Sequence, residues 1–169
     1  MIKSFFVAAI VLLSCALIEA AILSNIAIIP AIPDLSLICL LYISFHNGKL
    51  LGEGSGFISG LFLDFLSAAP FGLNCLYRTI IGFVAGIFNK TINTEGLLVP
   101  ALLGALATIF KSILILFISF FFPLAVIAYN PISWMFVFEL GINTILTPII
   151  FKLLNLFKNS LVLTPETMV

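Results

Sequence analysis

Charged side chains are scarce in this chain. Only 8% of its 169 residues are Asp, Glu, Lys or Arg, seven of each sign, whereas soluble domains carry about 25% charged residues. Hydrophobic residues make up 63% of the sequence. Too few polar side chains are therefore available to cover a surface that faces water, so a soluble globular domain is excluded. A disordered chain is excluded as well, because disorder requires low hydrophobicity and high charge.

Residue types that often carry chemistry are also rare. The chain has one His, one Trp, three Tyr and three Cys, and its net charge is zero. Cys15, Cys39 and Cys75 all lie in apolar stretches, which favours reduced thiols in a core over disulfides or metal ligands. No nucleophile has a recognisable base nearby, and the balanced charge offers no cationic surface for nucleic acid. We therefore expect no enzyme, no cofactor or metal, and no nucleic-acid binding.

Long apolar stretches make up most of the sequence and indicate an integral membrane protein. A helix needs about 20 residues to cross a bilayer, so a chain of this length holds six or seven spans and no extramembrane domain. Gly, Pro and Asn separate the stretches as turn signals. We predict an all-α bundle in a single membrane domain, residues 1–169. The predicted spans are 5–24, 34–47, 50–67, 72–89, 97–122 and 132–157.

The lysines predict which ends of the helices face the cytoplasm. One side of the predicted bundle holds five of them: Lys3, Lys49, Lys90, Lys152 and Lys158. The connections on the other side hold no Lys or Arg; they lie near 25–33, 67–72 and 123–131. Because cytoplasmic loops of membrane proteins are enriched in Lys and Arg, both termini are predicted to be cytoplasmic.

Five charged residues fall inside the predicted spans. They are Glu19, Asp64, Arg78, Lys111 and Glu139. A charge at mid-bilayer costs about 2.5–3.5 kcal/mol on insertion scales, so such side chains usually face the bundle interior and pair. Four of them lie in the outer half of their spans, and the long stem of Lys111 can reach that level.

We predict a buried polar cluster from these five residues. Asp64 and Arg78 are the expected ion pair, because a short loop joins their helices. Two roles stay open for the cluster: interhelical contact alone, or contact with a partner or ligand.

Glycines recur at every fourth residue in two predicted spans. Gly52, Gly56 and Gly60 share one face of the third span, and Gly82 and Gly86 repeat the spacing on the fourth. Small residues at this spacing let helices approach closely in lipid, where packing drives association. We expect helix contact inside the bundle rather than dimerisation. The glycines lack the strand–turn–helix context of a phosphate-binding loop.

Three short motifs follow one another in the middle of the chain. The first is Pro33-Asp34, in which Asp34 is the expected N-cap of the second helix. The second is Gly56-Phe57-Ile58-Ser59-Gly60-Leu61-Phe62-Leu63-Asp64. The third is Pro70-Phe71-Gly72, which precedes the fourth helix. Their order and spacing resemble the rod shape-determining protein MreD family. The specific part of the resemblance covers residues 33–86, and the other spans match only in length and hydropathy.

The resemblance implies a location, a fold and partners. Members of that family lie in the bacterial inner membrane beside MreC, which has one span and a periplasmic domain. They belong to the machinery that links cytoplasmic MreB filaments to wall synthesis by RodA and a class B penicillin-binding protein. Their fold is regarded as similar to the S-components of energy-coupling-factor transporters. The implied function is a non-enzymatic scaffold that binds MreC within membrane lipid.

A small-molecule-binding or transport subunit is the alternative that the likeness to S-components permits. It would use an outward pocket lined by Glu19, Asp64, Arg78 and Glu139. The scarcity of Trp and Tyr argues against this alternative, because it leaves few amphipathic groups to line a ligand pocket.

Overall fold

Six helices of 13 or more residues make up most of the part of the chain that the structure describes. The computed structural model describes residues 2–26, 30–94, 96–124, 126 and 133–162. The helices are α1 Ile2–Ala21, α2 Leu35–Asn47, α3 Lys49–Leu66, α4 Leu73–Ile87, α5 Leu98–Phe121 and α6 Trp134–Asn155. A 3₁₀ turn, Leu23–Asn25, follows α1, and one helical turn, α7 Lys158–Leu161, follows α6. No strand occurs in the described residues, which confirms the predicted all-α class there.

Each predicted span overlaps one of the six helices, and the ends differ by no more than three residues. Three helical segments are long and apolar enough to cross a membrane by length and composition: Ser4–Asn25, Leu98–Phe121 and Trp134–Asn155. α2 and α4 are apolar but shorter. The predicted connections near 25–33 and 123–131 lie partly outside the described residues.

α2 is the central helix of the bundle. Its ten consecutive residues 36–45 are all buried, and α1, α3, α4 and α6 pack around it. At about 1.5 Å per residue, its 13 residues reach only about 20 Å. The hydrocarbon core of a bilayer is thicker than this, at about 30 Å. Because protein rather than lipid surrounds α2, its ends do not present unpaired backbone groups to hydrocarbon.

The outer helices expose large apolar side chains. On α5, Leu98 is 80% exposed and Phe120 is 82% exposed, and on α6 Trp134 is 73% exposed. A water-soluble monomer rarely exposes a continuous apolar surface of this kind. The surface is typical of helices that lipid surrounds.

α3 and α4 form the closest helix pair among the described elements. A Cβ atom added to Gly52, Gly56 or Gly60 would lie within 3.0 Å of the α4 backbone. A Cβ atom at Gly82 or Gly86 would approach the α3 backbone equally closely. The five glycines thus allow two helix backbones to touch, which is how small residues promote helix association in lipid.

Candidate functional site

Polar and charged side chains from all six helices meet towards one end of the bundle. This end is formed by the C-terminal ends of α1 and α3 and the N-terminal ends of α2, α4 and α6. The opposite end carries Lys49, Lys90, Lys152 and Lys158. We call the connected set of side chains the charge network. Its members are Glu19, Asp34, Ser36, Ser59, Arg78, Thr108, Lys111, Glu139 and Asn143.

Asp34 is the centre of the charge network. Its Oδ1 atom accepts a hydrogen bond from Arg78 Nη2 at 2.5 Å, and its Oδ2 atom accepts one from Lys111 Nζ at 2.8 Å. Lys111 Nζ also donates to Glu139 Oε1 at 2.7 Å. The Asp34, Arg78 and Glu139 side chains are buried, while Lys111 is 17% exposed. Two cations and two carboxylates therefore connect α2, α4, α5 and α6.

Asp34 also begins α2, as the N-cap prediction required. Its Oδ1 atom accepts from the backbone N–H of Leu37 at 3.0 Å, which satisfies one of the free donors at a helix start. Its own backbone N–H donates to Asn143 Oδ1 at 3.0 Å, and Asn143 Nδ2 donates to Thr108 Oγ1 at 3.1 Å. The start of the central helix is therefore fixed against both α5 and α6.

Glu19 binds the same end of α2 from α1. Its Oε1 atom accepts from the backbone N–H of Ser36 at 2.6 Å, and its Oε2 atom accepts from Ser36 Oγ at 3.3 Å. The positive end of the helix dipole favours a carboxylate at this position. The remaining helix, α3, joins through Ser59, whose Oγ atom accepts a hydrogen bond from Arg78 Nη1 at 3.2 Å. All six helices are therefore connected.

The predicted Asp64–Arg78 ion pair was wrong, because Arg78 pairs with Asp34 instead. The short loop between α3 and α4 brings the N-terminus of α4 to Asp64, whereas Arg78 lies in the second turn of that helix. Of the five charged residues singled out in the sequence, four belong to the charge network. Asp64 does not.

Asp64 caps α4 from the neighbouring helix. Its Oδ2 atom accepts from the backbone N–H groups of Gly72 and Cys75, at 3.0 and 3.1 Å. Its Oδ1 atom accepts from Asn74 twice, from the backbone N–H at 3.0 Å and from Nδ2 at 2.9 Å. Gly72 is the N-cap residue with φ +92°, a conformation that favours glycine, and it has no side chain to cap the helix. The carboxylate of Asp64 supplies the missing cap.

We expect Asp64→Ala to lower the free energy of unfolding by about 3 kcal/mol, since several hydrogen bonds to a charged acceptor are lost and their donors stay partly buried. Thermal unfolding in detergent micelles measures the effect. Glu53→Ala is the matched control, because Glu53 is an exposed carboxylate on the same helix. Equal melting temperatures for the two variants would contradict the capping role.

The sequence analysis missed several members of the charge network. Asp34 was assigned to the helix start and the motif but not to the cluster, and Asn143 was not singled out. A signal was present on α6, where Glu139, Asn143 and Thr147 recur at every fourth residue in an apolar helix, and all three are buried. Polar residues at this spacing share one helix face.

The remaining motif residues differ in burial. Pro33 is buried beside Asp34, and Pro70 is partly buried in the turn before α4. Phe57 is 51% exposed and Phe71 is 67% exposed. Pro33 and Pro70 therefore shape the backbone near the helix starts, whereas the rings of Phe57 and Phe71 lie largely on the surface.

The MreD family resemblance is confirmed by comparison with known protein families. The model of the family described as rod shape-determining protein MreD matches residues 1–157. No curated protein and no solved structure matches the chain. The matched range includes α1 to α6 and the whole charge network. The chain therefore belongs to the MreD family of rod shape-determining proteins.

Proposed function

We propose that this protein is a non-enzymatic scaffold of the bacterial cell-elongation machinery in the inner membrane. It binds MreC and helps to couple MreB filaments to peptidoglycan synthesis by RodA and a class B penicillin-binding protein. The observation that carries the proposal is the family match over residues 1–157. Family membership by itself supports a role in rod shape, and the partners follow from the proposed place of the protein in that machinery.

In this proposal α1 to α6 all cross the membrane, with both termini in the cytoplasm. α1, α5 and α6 have the length and composition of spans. α2, α3 and α4 are shorter or rich in glycine, but α2 is enclosed by protein, and α3 and α4 contact each other along their backbones. The end that carries the lysines faces the cytoplasm. The similarity to S-components stays a prediction.

The charge network supports a scaffold rather than a pocket for a small molecule. Its carboxylates accept hydrogen bonds from groups of the protein itself, so they hold helices together. Lys111 and Glu139 line a cavity of only about 10 Å³, which is close to the minimum for one water molecule. A vitamin-sized ligand does not fit there. The network instead keeps the outer surface of the bundle in one arrangement.

An exposed aromatic face on α3 and the following loop is the docking surface we propose for MreC. It consists of Phe57, Phe65 and Phe71, which are 51%, 70% and 67% exposed. The Phe65 and Phe71 rings meet edge to face, with centroids 5.2 Å apart. Exposed aromatic side chains are common anchors of interfaces. Phe71 belongs to the Pro-Phe-Gly motif, yet the fold leaves most of its ring uncovered.

We expect Phe71→Ala to reduce co-purification of MreC at least about tenfold, because truncating an aromatic anchor costs 2 kcal/mol or more. Cells that carry only this variant should become round. Phe120→Ala is the matched control, since Phe120 is an even more exposed ring near the same end of the bundle, on α5. It should leave MreC recovery and cell shape unchanged.

Both variants should accumulate in membranes and unfold at the temperature of the unchanged protein, because neither ring is buried. Unchanged MreC recovery after Phe71→Ala would contradict the docking surface. A photo-crosslinking residue introduced at each exposed helix face, with products identified by mass spectrometry, tests the function itself. If no face yields a crosslink to MreC in membranes, the scaffold proposal is wrong.

A further inference from the structure

A large cavity lies at the end of the bundle opposite the charge network. It has a volume of about 570 Å³. Its walls are α2, α6, α7 and the connection that follows α4. We call it the basic cavity, since its lining includes Lys90, Lys152 and Lys158, together with Tyr42, His46 and Asn155. A volume of this size is in the range of small-molecule sites.

The three lysines give the basic cavity a positive charge. No Asp or Glu lines it among the residues that the structure describes. Two acidic residues, Glu95 and Glu166, lie outside those residues. The cavity therefore attracts an anion.

The inner wall of the basic cavity is fixed by hydrogen bonds. His46 Nδ1 donates to the Tyr42 carbonyl oxygen at 2.8 Å, because a carbonyl can only accept. The His46 ring stacks on the Tyr42 ring with centroids 4.1 Å apart, and Tyr42 OH donates to Asn155 Oδ1 at 3.4 Å. The wall behind the lysines is therefore preorganised rather than loose.

An apolar groove continues from the basic cavity towards the middle of the bundle. It has a volume of about 250 Å³ and lies between α2, α4 and α5. All of its lining residues are apolar, and they include Leu41, Ile81, Val84, Leu103 and Leu106. Phe45 and Ile92 line both the groove and the basic cavity, so the two spaces adjoin. We call this second space the lateral groove.

We propose that the basic cavity and the lateral groove together bind one anionic phospholipid. The lysines hold the phosphate and the head group, and one acyl chain lies in the groove. Lys152 is close to the end of α6, and Lys90 follows α4 by three residues, so both lie at the depth of lipid head groups in a bundle that spans the bilayer. Basic pockets between spanning helices bind acidic head groups in this way. A soluble phosphate compound would use the cavity but not the groove.

Lipid retention in native mass spectrometry tests the proposal on the purified full-length chain. Phosphatidylglycerol and phosphatidylcholine with the same acyl chains are compared, and we expect at least about tenfold stronger retention of phosphatidylglycerol. The triple variant Lys90→Asn, Lys152→Gln and Lys158→Gln should abolish this preference. Asn is used at position 90 because Lys90 has φ +62°, which Asn tolerates. Lys49→Gln is the matched control, an exposed lysine at the same end that does not line the cavity.

The acyl-chain part of the proposal has its own variant. Val84→Phe adds a ring to the lateral groove and should lower phosphatidylglycerol retention about tenfold, whereas the melting temperature without lipid should stay the same. Glycerol phosphate, which has the head-group chemistry but no chain, should bind at least about a hundredfold more weakly than the lipid.

Three results would overturn the proposal. The first is equal retention of the two lipids by the unchanged protein, and the second is a triple variant that keeps the preference. The third is glycerol phosphate binding as tightly as phosphatidylglycerol, which would assign the cavity to a soluble phosphate compound instead.

Discussion

Asp34→Asn is expected to lower the free energy of unfolding by about 3–5 kcal/mol, although it only replaces one carboxylate oxygen with an amide NH₂ group. Arg78 and Lys111 both donate to the Asp34 carboxylate, and Arg78 is 1% exposed. Without that carboxylate, Arg78 keeps its charge in a buried site and loses the one ion pair that it forms among the described residues. The size of the effect comes from this uncompensated charge rather than from the lost contact alone.

The choice of Asn separates charge from helix capping. Asn is as good an N-cap residue as Asp, so the hydrogen bond from the Leu37 backbone N–H can be kept. Unfolding in detergent micelles, followed by circular dichroism, measures the loss. Glu53→Gln makes the same carboxylate-to-amide change at an exposed site of α3 and should change stability by less than about 0.5 kcal/mol.

A double variant tests the ion pair directly. Arg78→Gln added to Asp34→Asn should cost less than the sum of the two single changes, because it removes the charge that Asp34→Asn leaves unpaired. We expect a coupling energy of at least about 1 kcal/mol for residues in such contact. Strictly additive losses would show that Asp34 and Arg78 do not stabilise each other.

Gly60→Ala should lower the free energy of unfolding by about 3 kcal/mol through a single added methyl group. Its Cβ atom would lie within 3.0 Å of the Cys75 backbone and of the Asn74 carbonyl oxygen. Backbone atoms cannot rotate away as a side chain can, so α3 and α4 must separate and lose contact along their length. Overpacking a core usually costs about 1–3 kcal/mol of stability. Because the obstacle at Gly60 is backbone, we expect a loss near the upper end of that range.

Gly141→Ala is the matched control for the packing effect. Gly141 is a helical glycine in α6, and a Cβ atom there would have no neighbour within 4 Å. Because Ala favours helices over Gly, this variant should be neutral or more stable by up to about 1 kcal/mol. Thermal unfolding of both variants, normalised to the amount of protein in the membrane, checks the difference. Similar melting temperatures for the two would rule out the close α3–α4 contact.

Hydropathy and turn residues predicted the positions of the helices to within three residues, and a period of four placed the glycines on shared faces. These features depend on short stretches of chain. The partner of Arg78 could not be predicted in the same way, because it depends on how each helix is rotated about its axis. Asp64 is closer in sequence, but Asp34, 44 residues before Arg78, is the residue in contact.

The motifs of the middle region identified the family, but their individual roles required the structure. Asp34 joins the charge network, Gly56 and Gly60 allow backbone contact, and Asp64 caps the next helix. Asp34 and Asp64 are both carboxylates beside helix starts. One caps its own helix and pairs with cations, whereas the other caps a different helix and forms no ion pair among the described residues.

The charge network connects residues that are synthesised at different times. Asp34 leaves the ribosome 44 residues before Arg78, 77 residues before Lys111 and 109 residues before Asn143. At a synthesis rate of about 5–20 residues per second, the last of these partners follows by about 5–20 seconds. During that interval the nascent chain holds a carboxylate without its later partners at the start of a helix too short to cross the bilayer alone. In the proposed six-span arrangement, α2 must therefore be sheltered until α6 has been made, and chains truncated before α6 should be recognised as incomplete and degraded.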